Sequence, residues 1–132
     1  MKRAIFLLFF VALSAYPQSS QTSTVILYRR GGAWSRALDF PVSLDGRVLG
    51  SLHNGLYIRV SASPGRHIIV AGGSFLTQGD IASLKTAAGK TYYVRIDNIK
   101  ALHEHVEIRL VDPRDGARQL SGLKELVPRP LN

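Results

Sequence analysis

The chain has no cysteine, one methionine and one tryptophan among its 132 residues. Without cysteine there is no disulfide, no thiol nucleophile and no lipid attachment through an N-terminal Cys. Acidic residues are also scarce, nine Asp and Glu against 17 Lys and Arg, which leaves a formal charge of +8. Those few acids sit at turns and in charged surface positions, poor material for a paired-carboxylate site. No Gly-x-Ser-x-Gly elbow, no helix-borne His/Glu metal motif and no Gly-Lys-Ser/Thr phosphate loop occurs. These absences argue against an enzyme, and no cofactor is expected. No apolar run is long enough to cross a bilayer comfortably; the one candidate, Ala4 to Leu13, is too short.

That run nevertheless has the form of an export signal. Lys2 and Arg3 precede it, and small residues at Ala12, Ser14 and Ala15 offer a cleavage site. Residues 1–18 are therefore expected to be a signal peptide, 19–23 a linker, 24–126 one folded domain and 127–132 an extended tail. The expected location is periplasmic or secreted, with no membrane anchor after cleavage. Without Lys2 and Arg3 the formal charge falls from +8 to +6. A basic exported domain suggests an anionic polymer or lipid head groups as partner, more than nucleic acid.

From Val42 to Ile69 the pattern is that of half-buried strands. Val42 and Leu44, then Leu56, Ile58, Val60 and Ala62, alternate with mostly polar neighbours at a period of two. Asp45-Gly46, Asn54-Gly55 and Pro64-Gly65 supply turn chemistry at the breaks. This stretch predicts a four-strand antiparallel meander. Thr24 to Arg29 is nearly all apolar and predicts a strand buried on both faces or one crossing between sheets. The fourth strand of the meander is His67 to Ala71, and further strands are expected at Ile81 to Thr86, Thr91 to Ile96 and His103 to Val111. Tyr92, Val94 and Ile96 should point inward, as should Val106, Ile108 and Leu110, and Phe75 should plug the core from the loop before Asp80. Asp112 followed by Pro113 reads as a helix start, with Ala117, Leu120 and Leu123 at helical spacing. The fold class is all-β: an antiparallel β-sandwich of about seven to eight strands, immunoglobulin-like, with a short C-terminal helix.

The candidate binding residues lie in the loop RRGGAWSR, where Arg29, Arg30 and Arg36 surround Trp34. Such a cluster can stack on a sugar or clamp an anion, although a lone Trp equally closes the end of a core. Tyr57, Arg59 and Tyr93 are alternatives on the strand faces. His67 reads as a hydrogen-bonded core or edge residue. His103 and His105, two apart on a strand, aim the same way as Glu107, and a metal-dependent hydrolase built there is the rival reading; a solvated polar face is the plainer one. The leading expectation is a non-enzymatic envelope module that binds a protein partner or a cell-wall or surface polysaccharide. A subunit joining neighbours through an open sheet edge is the third.

The opening strand with Tyr28-Arg29, the segment SLDGRVLGSLHNGLYIRV, the turn and strand PGRHI, the block GKTYYVR and the closing Leu110-Val111 together resemble an uncharacterised bacterial family of small exported domains, many of them lipoproteins. The pattern DG-x3-G followed by PG-x-H is similar to that of PEGA-type β-sandwich modules. The resemblance implies the fold and carries no activity or catalytic residue. Two departures stand out: the lipid-attachment Cys is missing, and Arg30 stands where Pro often follows the Tyr-Arg pair.

Overall fold

The computed structural model describes residues 21–31, 39–73, 78–100 and 104–128. Its strands are β1 (Ser23–Tyr28), β2 (Phe40–Leu44), β3 (Arg47–Leu52), β4 (Leu56–Ala62), β5 (Gly65–Ala71), β6 (Asp80–Thr86), β7 (Thr91–Ile99), β8 (His105–Val111) and the two-residue β9 (Lys124–Glu125), with helix α1 (Pro113–Leu120) before β9. They form two sheets, one ordered β8-β7-β1-β4-β9 and the other β3-β2-β5-β6. The all-β sandwich with a short C-terminal helix is thus what the chain forms. The signal segment, Trp34, Arg36, Phe75 and His103 lie outside the described residues.

The inward faces meet in one core that includes Val25, Leu27, Phe40, Val42, Leu52, Ile58, Ile69, Val94, Ile96 and Val106. Each such side chain, taken fully out of water, favours folding by about 1.5–3 kcal/mol before entropy is counted. Alternation places most of them correctly from the sequence, but Leu110, near the end of the edge strand β8, is 57% exposed. The continuous apolar run of β1 has the expected cause. Val25 and Leu27 face the core, while Ile26 and Tyr28 are buried on the other side of the same sheet. Ser23, expected in the linker, is the first residue of β1, fully buried and donating its hydroxyl to Ala62 C=O at 3.0 Å.

Two topological expectations need correction. The stretch from Val42 to Ile69 is not a meander: β2 pairs with β3 and with β5, whereas β4 lies in the other sheet against β1. The turns explain why. At Asp45-Gly46 both residues are left-handed, φ 51° and 81°, which matches the twist of a tight hairpin. At Asn54-Gly55 only the glycine is, φ 81°, so the turn is not of that primed kind and the strands splay into different layers. The sandwich is also not purely antiparallel, since β1 runs parallel to β7 and β4 parallel to β9.

Both open sides of the sandwich are closed by side chains and short segments. Asp80, at the start of β6, accepts the Ile108 N–H at 2.9 Å, and Gln78 C=O accepts the Val106 N–H at 2.9 Å, so the free edge of β8 is occupied there. Opposite, Lys124 and Leu126 donate to Gly55 and Tyr57 carbonyls along β4, and Leu126 lies over Gly50. These covers weigh against assembly through the β4 or β8 edge.

Helix α1 begins as its sequence predicts. Asp112 accepts the Arg114 N–H at 3.0 Å, and Pro113 occupies the first turn. Gly116 is not a weakness here: it lets the helix backbone lie on the ring of Tyr93, where an added Cβ would come within 2.3 Å of Tyr93 Cγ. Gly116→Ala is therefore expected to lift the helix and cost about 1–3 kcal/mol despite alanine's better helix propensity. A urea midpoint equal to or above wild type would show that the helix has room to move.

Candidate functional site

The Arg29 to Arg36 loop leaves β1 and returns at β2, and its two stems are pinned together. Arg29 pairs through its backbone with Leu56 and Gly55, N–H to Leu56 C=O at 3.0 Å and C=O to Gly55 N–H at 3.0 Å. Its side chain turns inward rather than outward. The guanidinium stacks over the Phe40 ring, 4.2 Å from the centroid, and donates to Leu52 C=O at 3.1 Å. Arg29 is only 1% exposed, so it is a clamp beneath the loop and not one of its contact residues. Burial lowers its pKa, with the negative charges of Asp39 and Asp97 acting in the opposite sense; an arginine stays charged in such a setting. A planar cation that can lie on a ring suits this place as an ammonium would not.

Arg30 and Gly31 emerge at the surface directly above this clamp. At the returning stem the Asp39 carboxylate pairs with His53 from the β3–β4 turn. The structure thus brings Arg30, Asp39 and His53 to one end of the sandwich, around a loop whose base is held by Arg29, Phe40 and Leu52. Trp34 and Arg36 belong to the stretch outside the described residues.

The outer face of the five-stranded sheet carries many charges and pairs those of β7 and β8 with one another. Arg95 donates to Asp97 at 2.9 Å and Arg109 to Glu107 at 2.8 Å. The register sets Arg95 opposite Arg109 and Asp97 opposite Glu107, so the four groups form a compact neutral lattice. Tyr28 lies beside it, fully buried, donating to Gln119 of α1 at 2.8 Å. Burial raises its pKa, and Arg95 partly offsets that. Of the alternative contact residues, Arg59 is exposed, Tyr57 is half-buried and donates to Glu125 at 3.3 Å, and Tyr93 is half-covered by α1.

His67 proves to be a buried, doubly bonded histidine. Nδ1 meets the Asp45 carboxylate at 2.5 Å and Nε2 meets Ser63 C=O at 2.6 Å. A carbonyl can only accept, and so can an ionised carboxylate, so both ring nitrogens donate and the imidazole carries a positive charge. Its pKa is raised, first by the Asp45 bond and then by the Ser63 carbonyl; that of Asp45 is lowered by the His67 bond and by the Ile68 N–H at 2.8 Å. The DG and PG-x-H motifs, 22 residues apart at this pair, meet here. The sequence around His67 offers no carboxylate, and only the pairing of β2 with β5 supplies one.

All nine Asp and Glu side chains are among the described residues. Asp112 caps α1 and Asp80 holds β8. Six others pair with a basic side chain: Asp39, Asp45, Asp97, Glu104, Glu107 and Asp115. Glu125 accepts from Tyr57. No group of three or more His, Cys, Asp or Glu able to hold a metal ion occurs among the described residues. His105 lies at the start of β8, bridged to Gln78. In contrast, Arg30, Arg47, Arg59, Arg66, Lys85, Lys90, Arg114 and Lys124 are exposed with no carboxylate partner among the described residues. Counting basic residues in the sequence gives the excess but not its location, because it depends on which of them the fold pairs off.

Over residues 19–108 the chain matches the family described as "Protein of unknown function (DUF2846)". No curated protein matches it.

Proposed function

We propose, from the premise that the chain belongs to this family of proteins of unknown function, that it is an exported, non-enzymatic module of the cell envelope, periplasmic or secreted, which binds a protein partner or a cell-wall or surface polysaccharide through the loop that carries Arg30, Trp34 and Arg36. The observation that supports this reading is the Arg29 clamp. A buried guanidinium stacked on Phe40 fixes both stems of a loop rich in arginine and bearing the only Trp, and binding residues are commonly carried on loops held by a rigid scaffold. A Trp and two arginines suit a sugar ring, an anionic group or a protein hot spot. Arg29 contributes by position alone.

The test is capture from envelope extract by the wild-type protein and by a Trp34→Ala, Arg36→Ala double variant with the same circular dichroism and urea midpoint. A specific species retained by wild type and lost by the variant is the expected result. Equal capture by both would remove the loop from the reading. The rival reading is a metal-dependent hydrolase at His103 and His105, of which only His105 is among the described residues.

A further inference from the structure

We propose that the outer face of the four-stranded sheet docks on an anionic phospholipid bilayer, a contact separate from the loop binding just proposed and at a different place on the molecule. The two outer faces of the sandwich differ sharply. That of the five-stranded sheet is partly covered by α1, and its Arg95 and Arg109 are paired with Asp97 and Glu107, which leaves Arg59 as its exposed charge. That of the four-stranded sheet is uncovered among the described residues: the register aligns Val48, Ser43, Val70 and Ile81 in one row across all four strands. Val48 is 65% exposed, Ile81 69% and Ile68, in the adjoining row, 41%. Aliphatic side chains held this openly on one flat face need an occupant.

The charge beside them says which kind. Arg66 and Lys85 are directly opposite each other on β5 and β6, on the same face as Ile68 and Ile81 and in the row next to that of Ile68. Like charges opposed across strands repel, and an anion at that spot relieves the cost. Neither has a carboxylate partner among the described residues, and the acids nearest in the fold are already engaged, Asp45 with His67 and Asp80 with β8. A second copy of the chain would bring the same positive groups and no free carboxylate to match them. An acidic protein is less well matched, because among the described residues the face has no aromatic side chain of the kind that dominates protein hot spots. Apolar side chains beside a basic rim are instead the pattern that settles into an anionic membrane interface.

The experiment is co-sedimentation of the full chain with vesicles of phosphatidylcholine alone and of phosphatidylcholine mixed with phosphatidylglycerol, at low and high salt. Any contribution of the leader is common to every variant and cancels in the comparison. A basic side chain at an anionic surface is worth about fivefold, so Arg66→Gln with Lys85→Gln should lower partition onto the mixed vesicles on the order of twentyfold. Ile68→Ser with Ile81→Ser should lower it several-fold. Arg109→Gln with Arg118→Gln removes the same charge from the opposite side and should leave it nearly unchanged. An equal loss in this last pair would reduce the effect to net charge and overturn the proposal, as would undiminished binding by the Arg66/Lys85 variant. If the isoleucine variant bound as wild type and a soluble anionic polysaccharide displaced both, the face would be a polymer site and the bilayer reading would fall.

Discussion

Replacing Arg29 by Ala is expected to destabilise the protein by about 3 kcal/mol or more, although the residue is a charged one in what the sequence presents as a surface loop. The cost has two sources. The side chain is 1% exposed, so truncation leaves a cavity beside Phe40 at the end of the core. It also removes the charge-assisted bond to Leu52 C=O, and such bonds contribute about 1.5–3 kcal/mol. Arg29→Lys should retain part of the packing and lose the planar stacking, and so fall between the two. Urea unfolding at unchanged m-value measures this directly. A shift in Arg29→Ala below about 1 kcal/mol would mean that the clamp does not hold the loop stems, and the proposed binding loop would lose its rigid base.

The second large effect belongs to Asp45 and His67, and it depends on pH. The folded pKa of His67 is raised above the ordinary 6.5, so its contribution is complete below the unfolded value and is lost as pH rises through the folded one. Asp45 is lowered from 3.8; its contribution is present above that unfolded value and is lost as pH falls through the depressed folded one. The pair therefore supports the fold fully from about pH 4 to pH 6.5 and less as the imidazole deprotonates above that window. Within the window, His67→Leu or Asp45→Ala should cost about 2–3 kcal/mol, since each removes a charged hydrogen bond that ties the β2–β3 turn to β5. In both variants the decline above pH 6.5 should flatten. Urea midpoints of wild type that climb between pH 6 and pH 8, or variants with the wild-type pH profile, would contradict a protonated His67.

Much of the fold is legible in the residues. Alternation marks the strands, the Asp-Gly and Pro-Gly pairs mark turns, and Asp112-Pro113 announces the helix, because each of these preferences acts over two to five neighbouring residues. The positive excess is legible too, as composition. The site is less so. Arg29, placed beside Arg30 and Trp34 by sequence, is separated from them by burial, and nothing within its own segment signals that Phe40 and Leu52 would enclose it. His67 reads as hydrogen-bonded, but its carboxylate arrives from another strand.

The sequence by itself determined that this is a small all-β domain with a basic balance, a short terminal helix and a conspicuous loop of arginines around one Trp. Only the tertiary structure decided that β4 leaves its neighbours for the other sheet, that Arg29 goes inward, that Asp45 meets His67, and that Arg66 and Lys85 stand beside an apolar face with no carboxylate partner among the described residues. The physical reason is range. Backbone preferences and periodicity are local, whereas strand pairing joins residues far apart in the chain, and it is strand pairing that decides which charges cancel and which are left to face a partner.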